Sequence, residues 1–102
     1  MTAQGSPQTR FRRAIDARSV LLAELCAREL RHLDLADALE LVVLYAEVGD
    51  LKFERAACRW LGRITLERND VTLSELQLAV AALSALRDHP VSAAVALRSL
   101  DR

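Results

Sequence analysis

The stretch LADALELVVLYAEV, residues 35–48, is the feature that most limits what this chain can fold into. At about 100° of helical rotation per residue, its three charged residues share one narrow sector, and they are Asp37, Glu40 and Glu47. A helix that is apolar around the rest of its circumference has to be surrounded by other elements of the fold. The segment therefore predicts a helix in the middle of a bundle.

The composition supports the same fold class for the whole chain. Its 102 residues fit one domain, and 52% of them are hydrophobic, mostly Leu and Ala with few β-branched residues. No segment has the pattern of a strand. The prediction is an all-α protein, a five-helix bundle of antiparallel helical hairpins.

The N-terminal residues predict a leader followed by a long helix. Residues 1–9 are polar and contain Gly and Pro, which is typical of a flexible leader, although Ser6 and Pro7 also suit the cap and first position of a helix. A single domain is then expected over residues 10–102, with its first helix from about Arg10 to His32. Residues at helical spacing predict its apolar face: Phe11, Ala14, Ile15, Leu22, Leu25 and Cys26.

Capping residues mark the next two helices. Asp34 fits the N-cap of the central helix and Gly49 its left-handed C-cap, and Asp50 is placed to cap a third helix from Leu51 to about Arg68. The short connection predicts that the second and third helices form an antiparallel hairpin.

The fourth helix has the clearest local signature. Thr72 and Glu75 match a capping box, and Val71 and Leu76 match a hydrophobic staple. The helix continues as an Ala-rich apolar stretch until Asp88-His89-Pro90, where the proline suits the first turn of a fifth helix.

Two short segments resemble known proteins. Tyr45, Gly49 and Asp50 in YAEVGD resemble the turn of a tetratricopeptide repeat, but Glu54 stands where such repeats have a small residue, and no second copy follows at a 34-residue period. This TPR-like likeness implies a helical hairpin and transfers no binding residues. FERAACRWLGR resembles small uncharacterised helical proteins of GC-rich bacterial genomes, which implies a bacterial, cytoplasmic setting.

The most specific charged feature is a basic ridge on the third helix. Its four cations fall within an arc of about 80°, and they are Lys52, Arg55, Arg59 and Arg63. Trp60 belongs to a different, apolar side, which predicts a core position with its indole N–H bound to a carbonyl or placed at an edge. The ridge is either a docking place for an acidic partner or a solvated face neutralised by acids of the second helix and by Glu67.

A second basic cluster, the basic arm, lies near the N-terminus: Arg10, Arg12, Arg13 and Arg18. Together with the ridge it allows an alternative function, a nucleic-acid-associated accessory protein whose binding weakens steeply with salt. A helix-turn-helix is disfavoured, because the last helix offers mainly Ala, Val and Leu where base edges need polar side chains.

Enzymatic chemistry has little support in the sequence. There are two His, three Gly and no phosphate-binding loop, so no catalytic residue, cofactor or metal ligand is predicted. Cys26 and Cys58 are expected to be reduced, buried thiols. The longest apolar stretch is far shorter than the roughly 20 residues that span a bilayer, so no membrane contact and a cytoplasmic location are expected.

The excess of apolar surface predicts a protein partner. A domain of this size can enclose about one helix fully, yet the second and fourth helices are both apolar nearly all round. We therefore expect a small helical protein–protein interaction module, an adaptor or regulatory partner that is oligomeric. The candidate self-association surface lies on the last two helices: Leu78, Ala79, Ala82, Leu86 and Leu97.

Overall fold

The computed structural model describes residues 5–101 and contains six α-helices over that range. They are α1 (Pro7–Asp16), α2 (Val20–Leu30), α3 (Leu35–Val48), α4 (Phe53–Glu67), α5 (Leu73–Ala85) and α6 (Pro90–Leu100). No strand occurs among these residues, so the all-α prediction is confirmed. The predicted number of five helices is wrong, because the first predicted helix is two helices.

The break between α1 and α2 is made by a left-handed arginine. Arg18 has a φ of 58°, and the backbone N–H of Ser19 donates to the carbonyl of Ala14 at 3.0 Å. The Ser19 hydroxyl then caps α2 by accepting a hydrogen bond from the Leu22 N–H at 3.3 Å. This turn changes the direction of the chain, so residues before and after it no longer share one helical face. Leu22 and Leu25, predicted as core, are consequently 52% and 44% exposed.

Helix α1 begins inside the predicted leader. The Ser6 hydroxyl accepts a hydrogen bond from the Thr9 N–H at 3.1 Å, and Pro7 occupies the first helical position. The boundary of the leader at residue 9 is therefore wrong, and the capping alternative is confirmed. Residues 1–4 of the predicted leader lie outside the described residues.

Helix α3 is the centre of the fold, as predicted, and packs against α1, α2, α4 and α6. The Asp34 carboxylate caps it by accepting from the Asp37 N–H at 2.8 Å, and Gly49 ends it with a φ of 71°. Five consecutive residues, Val42–Ala46, are buried, so the helix contacts neighbours around most of its circumference.

The acidic sector of α3 is paired with arginines from other elements. Asp37 is 5% exposed, accepts from the Gln8 amide at 3.0 Å and lies 3.6 Å from the Arg12 Nε. Glu40 receives two hydrogen bonds from Arg98 of α6, at 2.7 and 2.8 Å, and Glu47 pairs with Arg18 at 3.2 Å. These acids therefore bind α1, the α1–α2 turn and α6 to the central helix, and they do not neutralise the basic ridge.

The interior is divided into two clusters. The larger one joins α3, α4, α5 and α6 and contains Trp60, which is 1% exposed and donates its indole N–H to the Leu35 carbonyl at 2.9 Å. The smaller one joins α1 and α2 to α3 through Phe11, Ala23 and Leu44. The predicted core position of Trp60 is confirmed.

The remaining helix ends follow the predicted local signals with one adjustment. Thr72 and Glu75 form the capping box of α5, and Pro90 begins α6. Helix α4 begins at Phe53, two residues later than predicted, because the Asp50 carboxylate accepts from the Lys52 N–H at 2.8 Å and closes a turn before the helix.

Candidate functional site

The predicted basic arm is largely occupied by ion pairs within the molecule. Arg10 lies 3.1 Å from Glu29, and Arg12 and Arg18 pair with the acids of α3 described above. Arg13 is exposed on α1. Three of the four arginines therefore join α1 to α2 or the first hairpin to α3, so their charges stabilise the fold.

The basic ridge of α4 separates into two parts. The Lys52 Nζ lies 3.2 Å from Glu24 of α2 and 3.5 Å from Asp50 of the α3–α4 turn, so both acids hold this residue. Arg55 and Arg59 have no ion pair with any carboxylate of the described residues. Arg63 forms a two-pronged pair with Glu67, at 2.7 and 3.2 Å, as the sequence predicted for that pair.

Lys52 belongs to a network that joins α2 to the α3–α4 turn. The Tyr45 hydroxyl donates to Glu24 Oε2 at 2.5 Å, and the Lys52 ammonium lies 5.7 Å from the centre of the Tyr45 ring. Burial and the adjacent Glu24 carboxylate raise the pKa of Tyr45, and the same carboxylate raises the pKa of Lys52. Both shifts stabilise the protonated forms that make these contacts.

The predicted self-association surface is mostly interior, so that prediction is corrected. Ala79, Ala82, Leu86 and Leu97 are between 0% and 7% exposed and belong to the larger core cluster, whereas Leu78 is 49% exposed. The small residues of α5 do permit close packing, but this chain's own helices use that face. A helix that is apolar all round does not show in its sequence which side is inside.

The α5–α6 hairpin also carries large apolar residues that are exposed. We call this set the uncharged hairpin surface: Leu73, Leu78, Val80, Val91 and Val95, with exposures between 48% and 80%. Glu75, in the capping box, is the only charged residue from Leu73 to Leu86, and residues 90–97 contain none. The sequence signal for this surface was the scarcity of charge on two consecutive helices, which carry only Glu75 and Arg98.

A second feature is a groove between α2 and α4 that crosses α3. It consists of two adjoining depressions of about 510 and 300 Å³ that share Leu33 and Arg63. We call it the basic groove, and its lining includes His32 and four arginines: Arg28, Arg31, Arg59 and Arg63. The sequence predicted Arg59 and Arg63 for an acidic partner. It gave no indication that the end of α2 lies opposite them.

The backbone at the end of α2 is unusual. Arg31 has a φ of 63°, a left-handed value that favours glycine over residues with a Cβ. The Arg31 N–H donates to the Arg28 carbonyl at 3.2 Å, which closes the last turn and directs the chain toward α3.

Glu67 contacts the groove through Arg63. The hydrogen bond from Arg63 lowers the pKa of the Glu67 carboxyl, with a further contribution from the charge of His32. Glu67 thus stays ionised at neutral pH, and its carboxylate remains hydrogen-bonded to the guanidinium of Arg63.

Two other depressions lie elsewhere on the surface. One of about 280 Å³ lies between α4 and α5 and includes Cys58, Leu61 and Val80. The other, of about 460 Å³, lies between α1 and α2 beside Arg13 and Leu22. Cys58 is exposed and Cys26 is buried, so the prediction of two buried thiols is wrong for Cys58; both are free.

No group of three or more His, Cys, Asp or Glu within residues 5–101 is arranged to hold a metal ion. None of the described helices is both long and apolar enough to cross a membrane.

Comparison of the chain with known protein families, with curated proteins and with solved structures found no match. The surfaces described above are therefore the basis for a functional proposal.

Proposed function

We propose that the protein is a small helical interaction module, an adaptor or regulatory partner, that self-associates through the uncharged hairpin surface. The observation that carries the proposal is the combination of large exposed apolar side chains with an absence of charge. Leu73 and Val91 are 80% and 77% exposed, and residues 76–86 contain no charged residue at all. Large exposed apolar side chains on a small domain are typical of protein contact sites.

A second copy of the chain is the occupant that this surface favours. In a two-fold dimer the same patch lies on both subunits, so any charge on it meets its own copy and repels it. The uncharged hairpin surface has no such charge, and the net charge of the whole chain is zero. Two copies can therefore approach along α5 and α6 without electrostatic cost.

The experiment introduces charge at positions where the monomer tolerates it. Leu73→Glu and Val91→Glu place carboxylates in the first turns of α5 and α6, where the helix dipole favours them. In sedimentation equilibrium at about 10–100 µM protein, we expect the wild type to be a dimer or higher oligomer, and the double variant to be a monomer with unchanged helicity.

Leu51→Glu is the matched control. Leu51 is 94% exposed just before α4, so the change adds one carboxylate to an exposed leucine outside the hairpin, and Leu73→Glu alone is its equal in charge. It should leave the oligomer intact. A monomeric wild type at the highest concentration, or equal dissociation by the control, would contradict self-association through this surface.

The alternative function, nucleic-acid association through the arginine-rich faces, has less support. Lys52 and three arginines of the basic arm are held by carboxylates, so fewer cations are available for phosphates than the sequence count indicates. A single-stranded oligonucleotide, compared with a peptide for binding to the basic groove, tests this alternative.

A further inference from the structure

The basic groove unites residues that are far apart in the sequence. Arg28, Arg31 and His32 come from the end of α2, and Arg59 and Arg63 come from the middle of α4. The floor between them is supplied by apolar residues of α3 and of the α2–α3 connection. A surface built from three elements has a fixed shape, which a ridge on one helix does not have.

Charge in the groove has one sign. Its lining contains four arginines and one histidine and no carboxylate. Arg28, Arg31 and Arg59 form no ion pair with a carboxylate of residues 5–101, in contrast to the arginines of the basic arm. Guanidinium groups are well suited to binding carboxylates through paired hydrogen bonds.

The floor of the groove is apolar. Leu33, Leu41 and Val42 contribute to it, together with the buried rings of Tyr45 and Trp60. Leu33 and Leu41 are the partly exposed residues of this floor. A ligand that bears only negative charge would leave them in contact with water, whereas a ligand with apolar side chains beside its carboxylates would cover them.

A nucleic acid fits this arrangement less well. Single strands bind by stacking bases on exposed aromatic rings, but Trp60 and Tyr45 are only 1% and 6% exposed and their polar atoms are already hydrogen-bonded inside the protein. The chain also has no net positive charge to attract a long polyanion.

We infer that the basic groove binds an acidic, amphipathic segment of another protein. Carboxylates of the segment pair with Arg28, Arg31 and Arg59, and its apolar side chains lie on the floor over Trp60. Glu67 acts as a competitor within the molecule, because its carboxylate already holds Arg63. The groove and the uncharged hairpin surface are separate features, so this binding does not depend on self-association.

The test uses a fluorescein-labelled peptide of about twelve residues in which Glu and Asp alternate with Leu in an amphipathic pattern. Binding is followed by anisotropy, and the emission of the single tryptophan, Trp60, reports whether the peptide reaches the floor of the groove. We expect a saturable signal in both measurements. Arg59→Ala and Arg28→Ala should each raise the Kd about tenfold, the effect typical of losing a hydrogen bond between charged groups.

Arg31→Gly separates binding from folding. Glycine adopts the φ of 63° without strain, so the variant should unfold at the same denaturant concentration as wild type or higher while its peptide Kd rises. Arg55→Ala is the matched control, because Arg55 is an unpaired, exposed arginine of α4 outside the groove. It should leave the Kd within about twofold, as expected for a remote surface charge.

Glu67→Gln gives the opposite result to the arginine variants. The glutamine cannot hold Arg63 as an ion pair, so the guanidinium becomes available and the peptide Kd should fall several-fold. Loss of a structural contact alone would not tighten binding.

Three outcomes would overturn the inference. The first is absence of peptide binding in both signals, and the second is equal binding of an all-Glu peptide, which would show that the apolar floor is not used. The third is preferential binding of a single-stranded oligonucleotide that Arg55→Ala weakens as much as Arg59→Ala does; this result would support the nucleic-acid alternative instead.

Discussion

The first and last hairpins of this molecule are similar in length and opposite in surface chemistry. The α1–α2 hairpin carries arginines whose guanidinium groups reach carboxylates on α2 and α3. The α5–α6 hairpin presents leucines and valines to solvent and has one charged residue on α5, inside its capping box. Both dock on α3, but only the second leaves a surface without charge. Charge at the first hairpin is used in contacts within the molecule, and the exposed apolar residues of the second are those on which the proposed self-association depends.

The largest expected effect comes from removing the core of the first hairpin. Phe11 is fully buried between α1, α2 and α3, so Phe11→Ala should lower the free energy of unfolding by about 3–5 kcal/mol through lost burial and the cavity left behind. Urea unfolding should be followed by far-UV circular dichroism and by Trp60 fluorescence, since Trp60 lies in the other core cluster.

Coincident transitions in the two signals would show that both hairpins unfold together, as the shared helix α3 predicts. If the variant lost helicity at low urea while the Trp60 signal stayed at its wild-type midpoint, the first hairpin would be an independent folding unit. The contrast between the first and last hairpins would then be larger.

A smaller loss of stability is expected when the buried acid that contacts the first hairpin, Asp37, is replaced. Asp37→Ala removes the carboxylate that Gln8 and Arg12 contact and that favours the N-terminus of α3, and it should cost about 1–2 kcal/mol. Arg12→Ala is the control with the smaller effect, because the Arg12 side chain is 64% exposed. Equal losses in the two variants, measured by urea denaturation, would contradict this account.

Alkaline pH should destabilise the connection between α2 and the α3–α4 turn. The pKa of Tyr45 is raised above its ordinary value of 10.0 by burial and by Glu24, so the folded state holds the phenolic proton more tightly than the unfolded state does. Stability from this group is complete below pH 10 and falls as pH rises further, because only the unfolded state then releases the proton.

Tyr45→Phe should cost about 1 kcal/mol at neutral pH and weaken the alkaline loss. The measurement is the urea midpoint from pH 8 upward, together with absorbance at the tyrosinate band of this single tyrosine. Ionisation of folded Tyr45 at its ordinary pKa would contradict the role of the Glu24 contact.

The smallest effect is expected from the exposed pair that attaches the second hairpin to α3. Arg98→Ala removes the two hydrogen bonds to Glu40 and should cost less than about 1 kcal/mol, because exposed ion pairs are screened by water and salt. Thermal unfolding of the wild type and the variant, at low and at high salt, measures this loss of stability. A loss as large as that of Asp37→Ala would mean that both hairpins depend equally on charge.

Local signals in the sequence predicted most of the helix ends. Asp34, Gly49 and the Thr72–Glu75 box act through neighbouring backbone groups, so their effect is visible without knowledge of the fold. The break at Arg18 was missed because no glycine or proline marks it, and the left-handed conformation is imposed by the packing of α2 back onto α1.

The candidate sites were predicted less well, and for a physical reason. Helical spacing placed Arg59 and Arg63 on one face, but Arg28 and Arg31 join them only because the turn after α2 directs that helix across α3. On α5, every face is apolar, so spacing did not separate the buried Ala79 and Leu86 from the exposed Val80. Only the positions of α4 and α6 decide which face of α5 is enclosed.

The two left-handed arginines, Arg18 and Arg31, stand at opposite ends of α2 and have a consequence for amide hydrogen exchange. Each end of this eleven-residue helix stores backbone strain that detachment releases, and α2 packs against α1 and α3 alone. We expect the amides of α2 to exchange faster than those of α3, through an opening that leaves the rest of the molecule folded. Since α2 supplies one wall of the basic groove, the lifetime of that groove depends on how often this single short helix detaches from α1 and α3.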